Sequence, residues 1–202
     1  MNEATDPAYN IPAIILLSFW WVFLSGLDFL STPRESGEQD LKGRKSEDDK
    51  TAATDDDPRL AAIRELDPTF DTGSFLEGAR RAYEAVLHAY ALGDLKTLRR
   101  LLSTDVLQVF SDACAARRES QETLELTLIG IDGVEIVQAE TAANWMEISV
   151  RFRAQIVSAE RSADGTVIGG DPAAVTTTND LWTFSRPVPV DNPWIVVATD
   201  EG

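Results

Sequence analysis

One histidine, His88, and one cysteine, Cys114, are all that the 202-residue chain offers of the two side chains that most often carry nucleophilic or metal chemistry. A lone imidazole with an unperturbed pKa near 6.5 can act as a general base only where a partner constellation orients it, and none surrounds His88. It reads as a surface or rim histidine. One thiol cannot form an intramolecular disulfide, and zinc or di-iron centres need clustered His, Cys or carboxylate ligands. No metal, no cofactor and no catalytic residue is therefore expected. Gly169-Gly170-Asp171-Pro172 resembles a phosphate-binding loop only in its glycines; it lacks the strand-to-helix setting and the Lys-Ser/Thr pair, and reads as a turn. The groups left for recognition are cations and aromatic rings. Arg80-Arg81, Arg99-Arg100 and Arg117-Arg118 are three basic pairs on or ending helices, and Arg151 and Arg153 lie on the polar face of a strand, placed to read a partner's carboxylates. Tyr83, Tyr90, Phe110, Phe152, Trp182, Phe184 and Trp194 bury on the order of 150–250 Å² each as core or cavity wall, and any of them left at a surface becomes a binding anchor.

The elements that must position these residues fall into two halves with different periods. Leu60, Ile63 and Leu66 make a short amphipathic helix ended by Asp67-Pro68. Ser74-Phe75-Leu76-Glu77 reads as a capping box, after which Phe75, Ala79, Ala82, Tyr83, Val86 and Tyr90 recur at helical spacing until Gly93 supplies the stop. Asp94 caps a helix with Leu95, Leu98, Leu101 and Leu102 on one stripe, and Ser103 to Asp105 start another carrying Val106, Phe110, Ala113 and Cys114. Beyond Leu124 the period is two. Asp132-Gly133 is read as a turn between strands. Met146, Ile148, Val150, Phe152, Ala154 and Ile156 share one strand face, with Glu147, Ser149, Arg151, Arg153 and Gln155 on the other. Asp164-Gly165 marks a further turn, and Asp180 to Arg186 and Trp194 to Thr199 are strands. Helices followed by an antiparallel meander give an α+β domain with the helices on one face of the sheet; long, strongly curved strands would make it a cone.

Charge and hydropathy divide the rest of the chain. Lys and Arg number 18 against 34 Asp and Glu, a formal net charge of −16, so a nucleic-acid partner is not expected. Ile11 to Leu27 is uncharged and spans about 25 Å as a helix, nearly a hydrocarbon core, with Phe29 and Leu30 extending it. Glu3 and Asp6 precede it where a secretory signal would be basic, so residues 1–30 read as an uncleaved membrane anchor. Arg34, Lys42, Arg44, Lys45 and Lys50 follow within about 20 residues, which by the positive-inside rule puts the remainder in the cytoplasm. Residues 31–59, rich in Asp, Glu, Lys, Ser and Thr, read as a disordered tether, and residues 60–202 as the folded domain.

The blocks DPTFDTGSFLEGARRAYEAVLHAYALGDLKTLRRLLSTDVLQVF, VRFRAQIVS, GGDP and DLWTFSRPVPVDNPWIVVAT, in that order, resemble the C-terminal domain of the Tim44-like family, which includes the mitochondrial inner-membrane import-motor subunit and bacterial TimA-type proteins. The resemblance covers about residues 60 to 200 and rests on Phe70, Phe75, Gly78-Ala79, Ala82-Tyr83, Gly93-Asp94, Leu101-Leu102, Trp182-Thr183-Phe184 and Trp194. It implies a fold related to nuclear transport factor two and ketosteroid isomerase, with helices in a curved antiparallel sheet around a concave apolar cavity. It also implies a membrane-associated adaptor whose mitochondrial members are reported to bind cardiolipin and translocase or chaperone partners. The expectation is a single-pass protein of a bacterial inner membrane that binds protein partners there in protein translocation or membrane-complex biogenesis and performs no catalysis. The alternative is a binder of a lipid or small apolar ligand in the cavity, or an enzyme that places Tyr83 inside the cone as that scaffold places its tuned Asp or Tyr.

Overall fold

A computed structural model describes residues 57–190 and 192–201. A 3-10 turn at Pro58–Leu60 leads into four helices: α1 (Ala61–Leu66), α2 (Thr72–Leu92), α3 (Leu95–Leu101) and α4 (Thr104–Glu119). Four strands follow: β1 (Thr123–Ala142), β2 (Trp145–Arg161), β3 (Val167–Pro187) and β4 (Ile195–Glu201). They form one antiparallel sheet in the order β1-β2-β3-β4. The expected anchor at residues 1–30 and the tether up to residue 56 lie outside the described residues. Among the described residues no helix is long and apolar enough to cross a membrane.

The central helix is α2, because its stripe of Phe75, Ala79, Tyr83, Val86 and Leu87 is buried at 3.6-residue spacing. Its start differs from the expected capping box. Asp71, not Ser74, is the cap: its carboxylate accepts the Ser74 amide at 2.7 Å, which satisfies an orphan donor one turn earlier than the Ser-x-x-Glu pattern suggests. Gly93, in the left-handed region at φ 67°, ends the helix as expected. Asp94 then caps α3 by accepting from the amides of Lys96 and Thr97 and from the Thr97 hydroxyl. Asp57–Arg59, assigned to the tether by composition, already belong to the fold. The Arg59 guanidinium grips the Asp57 carboxylate and donates to the Ile136 carbonyl on β1.

Two glycine-marked turns are absent from the places expected. Asp132-Gly133 lies inside β1, which continues through it, and the chain reverses instead at Ala143-Asn144. The 17 residues of β2 pair along both halves of β1, and register shifts at Leu128/Gly130, Ile131/Gly133 and Ile136/Gln138 absorb the surplus residues as bulges. Gly169-Gly170-Asp171-Pro172 likewise lies within β3. There Gly170 has φ 69°, and a Cβ on it would stand 2.3 Å from the Ser158 carbonyl oxygen, so the glycine is needed for close backbone approach rather than for reversal. Bulges bend a strand and increase its twist, which curves the sheet around α2. The alternation read along β2 holds: Met146, Ile148, Val150, Phe152 and Ala154 are fully buried toward the helices, while Arg151 and Arg153 on the other face are exposed. Among the described residues β4 pairs with β3 as far as Asp180 and Glu201, and β3 from Val167 to Asn179 is paired on the β2 side only.

The two positive-φ glycines of the β2–β3 hairpin separate steric from conformational cost. Gly170→Ala meets backbone and should lower the unfolding free energy by about 2 kcal/mol or more. Gly165→Ala, at φ 86° with nothing within 4 Å of the added Cβ, should cost about 1 kcal/mol. Urea unfolding followed by tryptophan fluorescence checks the order of the two.

Candidate functional site

The aromatic residues picked out by the sequence gather in two groups. Tyr83, on the buried stripe of α2, stacks on Phe152 of β2 with centroids 4.5 Å apart and planes 17° apart, and touches Trp182 of β3 at 4.8 Å. Phe184 joins from the same strand, in contact with Phe152 and Phe75. Tyr83, Phe152, Trp182 and Phe184 are each at most 2% exposed. Their rings occupy the concave side of the sheet where a cavity was expected to open. Tyr90 and Phe110 form a separate pair where α2 meets α4, with the Arg117 guanidinium 4.2 Å over the Tyr90 ring and donating to the Tyr90 carbonyl. Trp194 packs edge-on to Phe70 and to Phe75, and through Phe75 it joins the first group at Phe184. Beside it Arg186 donates to Asp67 and to the carbonyls of Val190 and Asn192, fastening the segment between β3 and β4.

Arg151 and Arg153 stand on the opposite, outer face of the sheet. Arg151 faces Glu135 at 3.6 Å, and Arg153 pairs across the strand with Gly133. They are therefore not part of any aromatic cluster. His88 is exposed on α2. Cys114 is buried against the Tyr90 carbonyl, and burial pushes its thiol up, away from the reactive thiolate. Among the described residues no group of His, Cys, Asp and Glu could hold a metal ion. One open groove of about 370 Å³ runs between α2 and β1, floored by Leu128, Ile129 and Ile131 and rimmed by Glu77, Arg80, Arg81 and Glu84.

The residue that sequence reasoning missed is Asp180. Its carboxylate accepts the Tyr83 hydroxyl at 2.5 Å, with the Thr178 hydroxyl 3.3 Å from the same phenol oxygen. The signal was present in the alternation of β3, since Asp180, Trp182 and Phe184 share the inward register and so place a carboxylate among aromatic rings. Asp180 is 8% exposed, and burial raises its carboxyl above the ordinary value of 3.8 even though Tyr83 and Thr178 donate to it. Burial, then the Asp180 charge, pushes the Tyr83 phenol up as well, so it stays a donor. The indole N–H of Trp182 is buried without a hydrogen-bond partner among the described residues. This arrangement can bind a hydrogen-bonding group.

Because the folded-state value of Asp180 lies above 3.8, its ionisation opposes folding. The stability it supplies is full below pH 3.8 and is given up as pH rises through the raised value. Asp180→Asn should therefore be more stable than the wild type at pH 7, with the advantage vanishing toward pH 3.8, as read from urea midpoints across that range. Tyr83→Phe leaves the carboxylate short of its donor and should cost about 1–3 kcal/mol at pH 7.

Residues 58–201 match the Tim44-like domain family. The mitochondrial import inner membrane translocase subunit TIM44-1 of Arabidopsis thaliana is 24% identical over 137 residues, covering 66% of this chain and 28% of that protein. Subunit TIM44 of Saccharomyces cerevisiae is 27% identical over 139 residues, covering 67% of this chain and 32% of that protein. The chain thus spans less than a third of the length of the curated relatives it matches. Among solved structures, the intermembrane space region of the chloroplast protein ARC6 aligns with a TM-score of 0.46 at 10% identity, over 66% of this chain and 98% of that one. A ketosteroid isomerase-like protein from Erwinia carotovora atroseptica aligns with a TM-score of 0.35 at 15% identity, over 62% and 95%. Scores this low leave the fold to be defined by the strand order and register above. The family match runs from the 3-10 turn before α1 through the last residue of β4, and on that extent the chain belongs to the Tim44-like domain family.

Proposed function

We propose that this chain is a membrane-tethered adaptor of a bacterial inner membrane, which holds protein partners near the bilayer during protein translocation or membrane-complex assembly and carries out no chemical step of its own. The observation that carries this reading is the family match over 58–201, to relatives that are import inner membrane translocase subunits. The filled concave side of the sheet supports it, since Tyr83, Phe152 and Trp182 leave the outer surface, not the interior, to meet a macromolecule. In this reading residues 1–30 insert as one span with the C-terminal domain in the cytoplasm. About 26 residues of tether would give a reach on the order of 28 Å as a random coil, keeping the domain at high effective concentration for neighbours in the same membrane.

The second reading, a carrier or enzyme, is favoured by the buried Tyr83–Asp180 pair and the unpaired Trp182 indole N–H, which are arranged as they would be to receive a polar atom of an apolar ligand.

Native mass spectrometry of the full-length protein, gently extracted from its own membrane, tests the first reading. A stoichiometric protein partner should accompany the intact chain and be lost on removing residues 1–30, while the remaining domain stays soluble and folded. Retention of that partner by the truncated chain would sink the tethering role. A small bound mass that follows residues 57–202 and disappears in Tyr83→Phe would favour the carrier.

A further inference from the structure

The three basic pairs seen in the sequence are not equivalent in the fold. Arg117 is engaged with Tyr90, and Arg81 lies 3.9 Å from Glu77 across one helical turn. The short helix α3 differs. It turns Leu98 fully inward with Leu95 and Leu101 half-buried beside it, and exposes Lys96, Arg99 and Arg100 at i, i+3 and i+4 on its other side. Among the described residues none of these three cations makes an ion pair. The nearby acid, Asp94, already accepts from two backbone amides and the Thr97 hydroxyl. At the preceding corner Leu92 is 69% exposed, the largest exposure among the large hydrophobic side chains of the described residues.

Local helix stability does not account for this composition. Arg99 and Arg100 suit the negative end of the helix dipole, but Lys96 lies in the first turn, the positive end, where an acid is favoured. Lys96 and Arg100 are also a like-charged i,i+4 pair, which destabilises a helix. A cationic face that its own helix does not require, in the helix that follows the corner carrying the exposed Leu92, is open to an anionic partner in a chain of net charge −16.

We propose that Lys96, Arg99, Arg100 and Leu92 form a docking surface for a short acidic segment of a partner protein that also carries a bulky apolar side chain. This deepens the adaptor reading and rests on it. The face is about 10 Å long, since seven residues rise about 1.5 Å each, and that is about one Debye length at physiological salt. A short acidic segment laid on it feels chiefly these cations. An anionic bilayer, by contrast, is an extended plane that meets the field of the whole domain, in which residues 60–202 carry 12 basic against 22 acidic side chains. Footprint and charge therefore favour a peptide over a lipid surface.

The test is fluorescence anisotropy with full-length protein in an uncharged detergent and a labelled synthetic peptide, an amphipathic helix of about four turns with glutamates on one side and leucines on the other. The wild type should bind at about 50 mM salt and weaken at about 200 mM. The double variant R99E/R100E should lose about tenfold or more in affinity, and L92S several-fold. R80E/R81E, an equal charge change elsewhere on the helices, should stay within about twofold. Should R99E/R100E lose its helical circular dichroism, K96Q/R99Q replaces it with the same expectation. Equal weakening by R80E/R81E, or no binding by the wild type, overturns the proposal. So does capture by phosphatidylglycerol vesicles that needs Arg99 and Arg100 while the peptide stays unbound, because the surface would then face lipid. The assay contains no native membrane partner, so failure of the adaptor reading leaves its outcome standing, and a native partner retained by R99E/R100E would remove this surface while leaving the adaptor intact.

Discussion

The stack of Tyr83 on Phe152 and Trp182 fixes where α2 meets the sheet, and most of the architecture is arranged around that contact. A helix lying on a flat sheet touches it along one line. Here the sheet is bent by bulges in β1 and again where β2 meets β3, so side chains from β2 and β3 reach the helix from two sides. The phenol at the end of Tyr83 then needs a partner inside an apolar layer, and Asp180 supplies it. One aromatic side chain thus joins the helix to the sheet and brings a buried carboxylate into the apolar layer between them.

Where a single periodicity governs a segment, the sequence was legible. The stripe of α2, the alternation of β2 and the Gly93-Asp94 boundary between helices depend on local rules and appear where expected. What failed was punctuation inside long strands. Asp-Gly and Gly-Gly-Asp-Pro have turn-forming chemistry, but a 17-residue partner strand pairing along both sides of them turns the same residues into bulges. The cap on α2 was misplaced for a related reason, because Asp71 and Ser74 are both competent and only tertiary packing decides where the first turn begins. Asp180 was passed over as one more acid in an acidic chain, although its register among Trp182 and Phe184 marks it as inward. The site residues were readable as aromatic; that Tyr90 and Phe110 pair apart from the rest depended on which end of α2 they meet.

Charge is distributed along the same division as secondary structure. From residue 57 to 122 there are 9 basic and 11 acidic residues, and from 123 to 202 there are 4 basic and 12 acidic. The helices are near neutrality and the strands carry the negative field. A partner approaching the domain therefore meets an orienting potential before any contact, attracted to the helices or repelled by the strands according to its own sign.

The one-sided stretch of β3 also bears on how this domain can change over evolutionary time. Pro172 to Val175, four exposed residues, stand opposite the single residue Val157, with the Asp171 carboxylate closing a local turn onto the Ala173 amide. All four are exposed and without a strand partner among the described residues, so residues can be added or removed there without disturbing a packed ring or a paired strand. At the other end of the same strand, Asp180, Trp182 and Phe184 admit no such freedom. A single strand thus joins an immovable core to a place where length is free to vary, and lineages of this domain can diverge in outline there while the stack on Tyr83 stays the same.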